Sequence, residues 1–100
     1  MSLRVTYEPE ARLEFAEATV WYENQRPGLG QEFGLEFKRA LKRAQTNPER
    51  FPKARQKARV IRLQRFTRYS IYFAVKDQQF SILAVFHSSR NPEELWERLR

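Results

Sequence analysis

One histidine and two arginines are the side chains in this sequence best suited to chemistry. His87 is the only histidine, and an unperturbed imidazole, with a pKa of about 6.5, can accept or donate a proton near neutral pH. Arg90 follows shortly after it, and Arg62 lies in a predicted strand, where its permanently charged, planar guanidinium suits a phosphate. Structural roles stay open for all three: a hydrogen bond to a neighbour for His87, and pairing with a glutamate or a partner protein for the arginines.

Several other kinds of site are absent from the sequence. It contains no Gly-rich phosphate loop, no nucleophile elbow and no paired carboxylates beside a histidine. Without cysteine it can form neither a disulfide nor a thiolate metal site, and the lone histidine has no second His to share a metal. We therefore expect no metal and no cofactor. The acidic residues around the first predicted helix are interpreted as helix electrostatics: Glu8, Glu10, Glu14 and Glu17.

Positive charge is concentrated in the middle of the chain. The formal net charge is +7, but the segment from Lys38 to Arg68 holds twelve basic residues against one acid, Glu49. That segment carries +11 and the rest of the chain −4. Such a field favours a polyanionic partner, either nucleic acid or an acidic protein, and the alternative is a solvated basic surface without a function. The candidate binding residues are Lys53, Arg55, Lys57, Arg59 and Arg65.

Length and hydropathy predict a single domain over residues 1–100. No apolar run approaches the roughly 20 residues of a membrane span, and the N-terminus lacks the apolar stretch of a signal peptide. A cytoplasmic location without a membrane partner is therefore expected.

The apolar periodicity predicts a strand and two helices in the first half. Residues 3–7 alternate as a strand, a helix runs from Pro9 to about Asn24, and a second runs from about Leu29 to Thr46. The first helix has two apolar stripes, which predicts that it is sandwiched between a sheet and the other helix. One stripe is Leu13, Ala16 and Val20, and the other is Ala11, Phe15, Ala18 and Tyr22.

Three alternating segments predict strands in the second half, over residues 59–66, 68–76 and 80–87. Their short links, 66–68 and 76–79, predict antiparallel hairpins. A final helical turn begins at Asn91-Pro92. The predicted fold class is α+β in the order β-α-α-β-β-β, with an antiparallel meander packed on an αα-hairpin and a short C-terminal helical tail.

Several blocks of residues, spread along nearly the whole chain, resemble in their order and spacing the RelE/ParE superfamily of toxins from bacterial type II toxin–antitoxin modules. Similar proteins are also called plasmid stabilisation proteins. The blocks are residues 10–23, 26–30 with Phe33, 47–52, 62–63 with Phe66, 69–73, and 82–92 with Trp96 and Arg98. The turn at residues 27–30 and the block at residues 87–92 look more like the ParE branch.

The resemblance implies that the protein is a toxin that acts by one of two mechanisms. ParE-like members poison DNA gyrase, so it implies growth inhibition by binding. RelE-like members cut mRNA in the ribosomal decoding site, and on that alternative Arg62 and Arg90 would bind the phosphate while His87 acts as acid or base. A third possibility is an inactive toxin homologue that acts only as antitoxin partner and operon co-repressor.

The resemblance also implies a partner, a small acidic antitoxin whose disordered C-terminal segment folds over the toxin. The +11 segment offers that segment an electrostatic target, and exposed sheet edges offer it strand pairing. Operator DNA would be reached only through the antitoxin.

Overall fold

The computed structural model describes residues 3–100. Its elements confirm the predicted α+β order and the helical tail. They are β1 (Arg4–Tyr7), α1 (Pro9–Gln25), α2 (Leu29–Thr46), a 3-10 turn (Pro48–Arg50), β2 (Arg59–Arg62), β3 (Tyr69–Lys76), β4 (Gln79–His87) and α3 (Pro92–Arg98).

The four strands form one mixed sheet in the order β1-β4-β3-β2. The three later strands pair antiparallel as predicted, and β1 adds to them by pairing parallel with β4. Asp77 and Gln78 join β3 to β4 with φ angles of 52° and 68°. Positive φ at both central residues is what a two-residue type I′ hairpin turn requires.

The predicted extension of β2 to residue 66 is wrong, and so is the short link at residues 66–68. The strand ends at Arg62, and an irregular segment carries both Leu63 and Phe66 into the core, where they are 3% and 2% exposed. Residues three apart on one strand face opposite sides of a sheet. The chain therefore has to leave the strand conformation to bury both side chains.

The αα-hairpin closes through a capped turn. Gly28 has a φ of 89°, and the Glu23 carboxylate accepts the backbone N–H groups of Gly28 and Gly30, each at 3.0 Å. A Cβ on Gly30 would lie 2.8 Å from the carbonyl oxygen of Thr19. The two helices thus approach each other too closely at this point for a side chain.

The predicted position of α1 between the sheet and the other helix is confirmed, but only one of its two apolar stripes is covered. Ala11, Ala18 and Tyr22 are buried against α2 and the sheet, but Leu13 and Val20 are 61% and 58% exposed. No element within residues 3–100 packs over that second stripe, so its larger side chains face solvent.

The opposite face of the sheet is covered by α3. Asn91 caps this helix by accepting the backbone N–H of Glu93 at 3.0 Å. Leu95 and Leu99 pack there against Ala84 and Phe86 of β4. The helical tail therefore forms one wall above the sheet.

Candidate functional site

The three predicted catalytic residues meet in one groove between the sheet and α3. We call this the β2–α3 groove, and its volume is about 380 Å³. Its lining residues are Arg62, Leu63, Thr67, Tyr69, Ser70, Tyr72, Phe86, His87, Ser88, Arg90, Pro92, Leu95 and Trp96.

Arg62 supplies an unpaired cation to the groove. It ends β2 opposite Ser70 of β3, its side chain is exposed, and no carboxylate within residues 3–100 pairs with it. Half-buried Tyr72 and Trp96 provide aromatic surface beside it, although the Arg55 guanidinium already lies 4.6 Å from the centre of the Trp96 ring. Arg62 is therefore the groove residue best placed to meet an anion.

His87 ends β4 with its ring fixed by neighbours. The ring packs edge-on against Tyr69 at 5.0 Å, and Nδ1 accepts the backbone N–H of Ser89 at 2.9 Å. Partial burial lowers the pKa of His87, and the positive charges of Arg68 and Arg90 lower it further. The neutral ring, with its proton on Nε2, is thus favoured at neutral pH.

Arg90 is bound by carboxylates. Its Nη1 lies 2.5 Å from Oε2 of Glu14 and its Nη2 lies 3.1 Å from Oε2 of Glu94. The guanidinium also lies 4.3 Å from the centre of the Phe86 ring. The Arg90 guanidinium therefore interacts with side chains of the protein itself rather than with the groove.

Glu14 is the central acid of this network, and its interpretation as a helix-end charge is wrong. It is 7% exposed, and its oxygens accept the backbone N–H of Val85 at 3.0 Å and the Arg98 nitrogens at 2.6 and 3.1 Å. Arg98 also donates to the carbonyl oxygen of Leu83 at 2.7 Å. Glu14 therefore ties α1 to β4 and α3.

Four of the five predicted basic binding residues lie together, along the loop before β2 and at its start. The backbones of Lys53 and Arg59 form an isolated antiparallel β-bridge. The Nη1 of Arg59 donates to the carbonyl oxygen of Phe51 at 2.8 Å. The full set in this region is Lys53, Arg55, Lys57 and Arg59.

Arg65 lies apart from that group and is paired with an acid that it shares with Arg26. It pairs with Glu32 of α2 at 2.7 Å, and this hydrogen bond lowers the pKa of Glu32. Among the described residues it is the one member of the +11 segment with an ion pair. Of the other cations in the segment, Arg55 and Arg68 lie over the rings of Trp96 and Trp21, and Arg59 donates to a carbonyl oxygen.

Within residues 3–100, no group of three His, Cys, Asp or Glu side chains could hold a metal ion. In the same range, no helix combines the length and apolar character needed to cross a membrane.

Comparison with known families decides the assignment. Residues 5–92 match the family model described as the ParE toxin of the type II toxin–antitoxin system parDE. The chain belongs to the ParE toxin family. The matched range includes Arg62, His87 and Arg90 and ends at Pro92, where α3 begins.

The fold of this ParE-family chain is similar to that of a chain solved in the chromosomal ParDE TA system from P. aeruginosa. The TM-score is 0.72 at 17% sequence identity, and the match covers 86% of this chain and 96% of that one. At that identity the likeness concerns the fold alone. No curated protein matches this sequence.

Proposed function

We propose that this ParE-family chain inhibits growth by binding and poisoning DNA gyrase, and that an acidic antitoxin neutralises it. The observation that supports binding over cleavage is that His87 and Arg90 already bind other groups of the protein, a backbone N–H and two carboxylates. Metal-independent RNA cleavage needs a base for the 2′-hydroxyl, cations for the phosphate and an acid for the leaving oxygen.

The β2–α3 groove meets those needs incompletely. Arg62 is available for a phosphate, but the Nδ1 lone pair of His87 already accepts a backbone N–H, and its lowered pKa disfavours the protonated, acidic form. Arg90 is held by Glu14 and Glu94. The groove therefore favours a binding role.

Purified toxin is expected to inhibit supercoiling by DNA gyrase and to trap cleaved DNA. His87→Ala should inhibit gyrase like the wild type, because no catalytic step depends on this residue. The measurement is a supercoiling assay that also detects linear DNA, with toxin preincubated with its antitoxin as the control. A wild-type toxin that leaves gyrase untouched would contradict the proposal.

Ribosome-dependent mRNA cleavage is the second candidate, and the observation in its favour is that Arg62, His87 and Arg90 line one groove beside Tyr72 and Trp96. Bases of single-stranded RNA stack on such aromatic rings. Primer extension on mRNA from a translating extract separates the two candidates. Codon-positioned cuts that disappear in Arg62→Ala and His87→Ala would establish the nuclease.

The antitoxin is proposed to bind the basic loop before β2. Changing Lys53→Glu together with Lys57→Glu is expected to weaken its binding about tenfold at low salt, because opposite charges at an interface attract and salt screens them. Binding of the antitoxin from the same operon can be measured by calorimetry at two ionic strengths.

A matched control for that charge reversal lies outside the +11 segment. Lys76→Glu with Arg100→Glu changes the net charge equally at two other exposed positions. If both double variants lose the same affinity, overall charge and not this loop governs binding.

A further inference from the structure

The outer side of α2 carries four cations that take no part in the β2–α3 groove or in the basic loop before β2. Helical periodicity places them in two rows, each made of residues four positions apart, on the side away from the buried stripe of this helix. The rows are Lys38 with Lys42 and Arg39 with Arg43, and all four side chains are exposed. Within a row the residues follow each other about 6 Å apart along the helix axis. We call this set the α2 basic face.

The charge of the α2 basic face is not compensated within residues 3–100, because no carboxylate there pairs with it. The two acids of α2, Glu32 and Glu36, lie in its N-terminal half and both accept hydrogen bonds from Arg65. On the C-terminal side, the charge of exposed Glu49 is offset by its neighbour Arg50 in the 3-10 turn. The face therefore attracts anions from outside the protein.

The other side chains of α2 limit which anion this is. Protein interfaces have cores with few charges and many aromatic rings, and proteins that bind single strands stack bases on such rings. The aromatic residues of α2, Phe33 and Phe37, are buried in the core, and Leu35 is the large apolar side chain that the helix exposes. A helix that lies on a membrane needs a wide apolar face for the lipid, whereas that of α2 packs inside the protein. The phosphate backbone of a duplex, which Lys and Arg contact without stacking, fits the face best.

We propose that the α2 basic face binds the phosphate backbone of duplex DNA independently of sequence. This activity goes beyond gyrase poisoning, because it needs only the toxin and DNA. The helices α1 and α2 cover one side of the sheet and α3 covers the other, so the β2–α3 groove stays free when DNA is bound. Such binding concentrates the toxin on DNA but gives no preference for an operator sequence.

The salt dependence of binding tests the contact with purified toxin and a short, labelled DNA duplex of arbitrary sequence. Each phosphate contact releases counterions and contributes about −0.9 to the slope of log K against log salt concentration, so four contacts predict a slope of about −3.6. The affinity should then fall about 100-fold between about 50 and 200 mM salt. Fluorescence anisotropy of the duplex measures both quantities. Folded wild-type toxin that does not bind at the lower salt concentration would overturn the inference.

Neutralising the face locates the contact. The variant is Lys38→Gln, Arg39→Gln, Lys42→Gln and Arg43→Gln, in which glutamine keeps a similar helix propensity and circular dichroism checks the fold. Its slope should be smaller by about 3 to 4, and its affinity at about 50 mM salt should be at least about tenfold lower. The matched control removes four exposed cations from other elements and has the same net charge of +3. It is Arg4→Gln, Lys53→Gln, Lys57→Gln and Lys76→Gln, and its slope should stay within about one of the wild-type slope.

Several outcomes would overturn the inference. Equal loss of slope in both variants would show that overall charge and not the α2 basic face governs binding. Tighter binding of a single DNA strand than of the duplex would point to the aromatic rings of the β2–α3 groove instead. Tighter binding of duplex RNA, or of vesicles with anionic lipid, would identify a different occupant of the face. These measurements involve neither gyrase nor antitoxin, so their failure leaves the proposed function intact.

Discussion

Replacing Phe33 with alanine is expected to lower the free energy of unfolding by about 3–5 kcal/mol. The Phe33 side chain is fully buried, and its ring lies 5.7 Å from that of Phe15, 5.0 Å from Tyr22 and 5.3 Å from Phe66. These neighbours belong to α1 and to the irregular segment after β2. Truncation therefore leaves a cavity where three parts of the fold meet.

Denaturant unfolding measures this loss, and the chain supplies two controls. Leu35→Ala truncates a side chain on the same helix that is 48% exposed, and it should change stability little. Phe33→Leu keeps most of the apolar volume and should fall between the two. Since the free energy of unfolding of small domains is only about 5–15 kcal/mol, Phe33→Ala is expected to reduce the folded fraction at 37 °C. A loss below about 1 kcal/mol would show that the neighbours collapse into the space.

Helix positions were predictable because their signal is local. In α2 the spacing of Phe33, Phe37, Ala40, Leu41 and Ala44 follows one helical face, and all five are buried. The proline after Asn47 marks the end of the helix. Both bounds of α2 are confirmed for this reason.

Features that depend on distant neighbours were not predictable in the same way. The two apolar stripes of α1 look alike in sequence, and only the packed fold shows that Ala11 faces the core and Leu13 the solvent. The alternation of residues 3–7 predicts a strand but does not specify its partner, so the parallel pairing of β1 with β4 had no local signal.

The sequence named candidate site residues but not the groups that these residues contact in the fold. The resemblance to the RelE/ParE superfamily named Arg62, His87 and Arg90 together, and all three line the β2–α3 groove. The ion pair of Arg90 joins residues 76 positions apart, so only the folded sheet brings them together. One signal for Glu14 was present: it lies three residues after Ala11 and four before Ala18, inside the stripe that is buried.

Replacing Glu14 with alanine is expected to lower the free energy of unfolding by about 3 kcal/mol, because the mostly buried Arg98 then keeps only its longer ion pair with exposed Glu10. Arg98 loses both of its short contacts to the carboxylate, and the N–H of Val85 loses its acceptor. Glu17→Ala is the matched control, since this exposed glutamate lies one turn along α1 and forms no ion pair within residues 3–100.

A double-mutant cycle with Arg98→Ala separates the network from the general effect of truncation. The two residues share a hydrogen-bonded contact of 2.6 Å, so the double variant should be more stable than the sum of the single losses predicts. Additive losses would show that Glu14 acts through Val85 and Arg90 rather than through Arg98. Strong coupling would mean that the Glu14 carboxylate holds α3 in place through Arg98, and with α3 the side chain of Trp96 that lines the β2–α3 groove. Arg98 lies beyond residues 5–92, which match the family model.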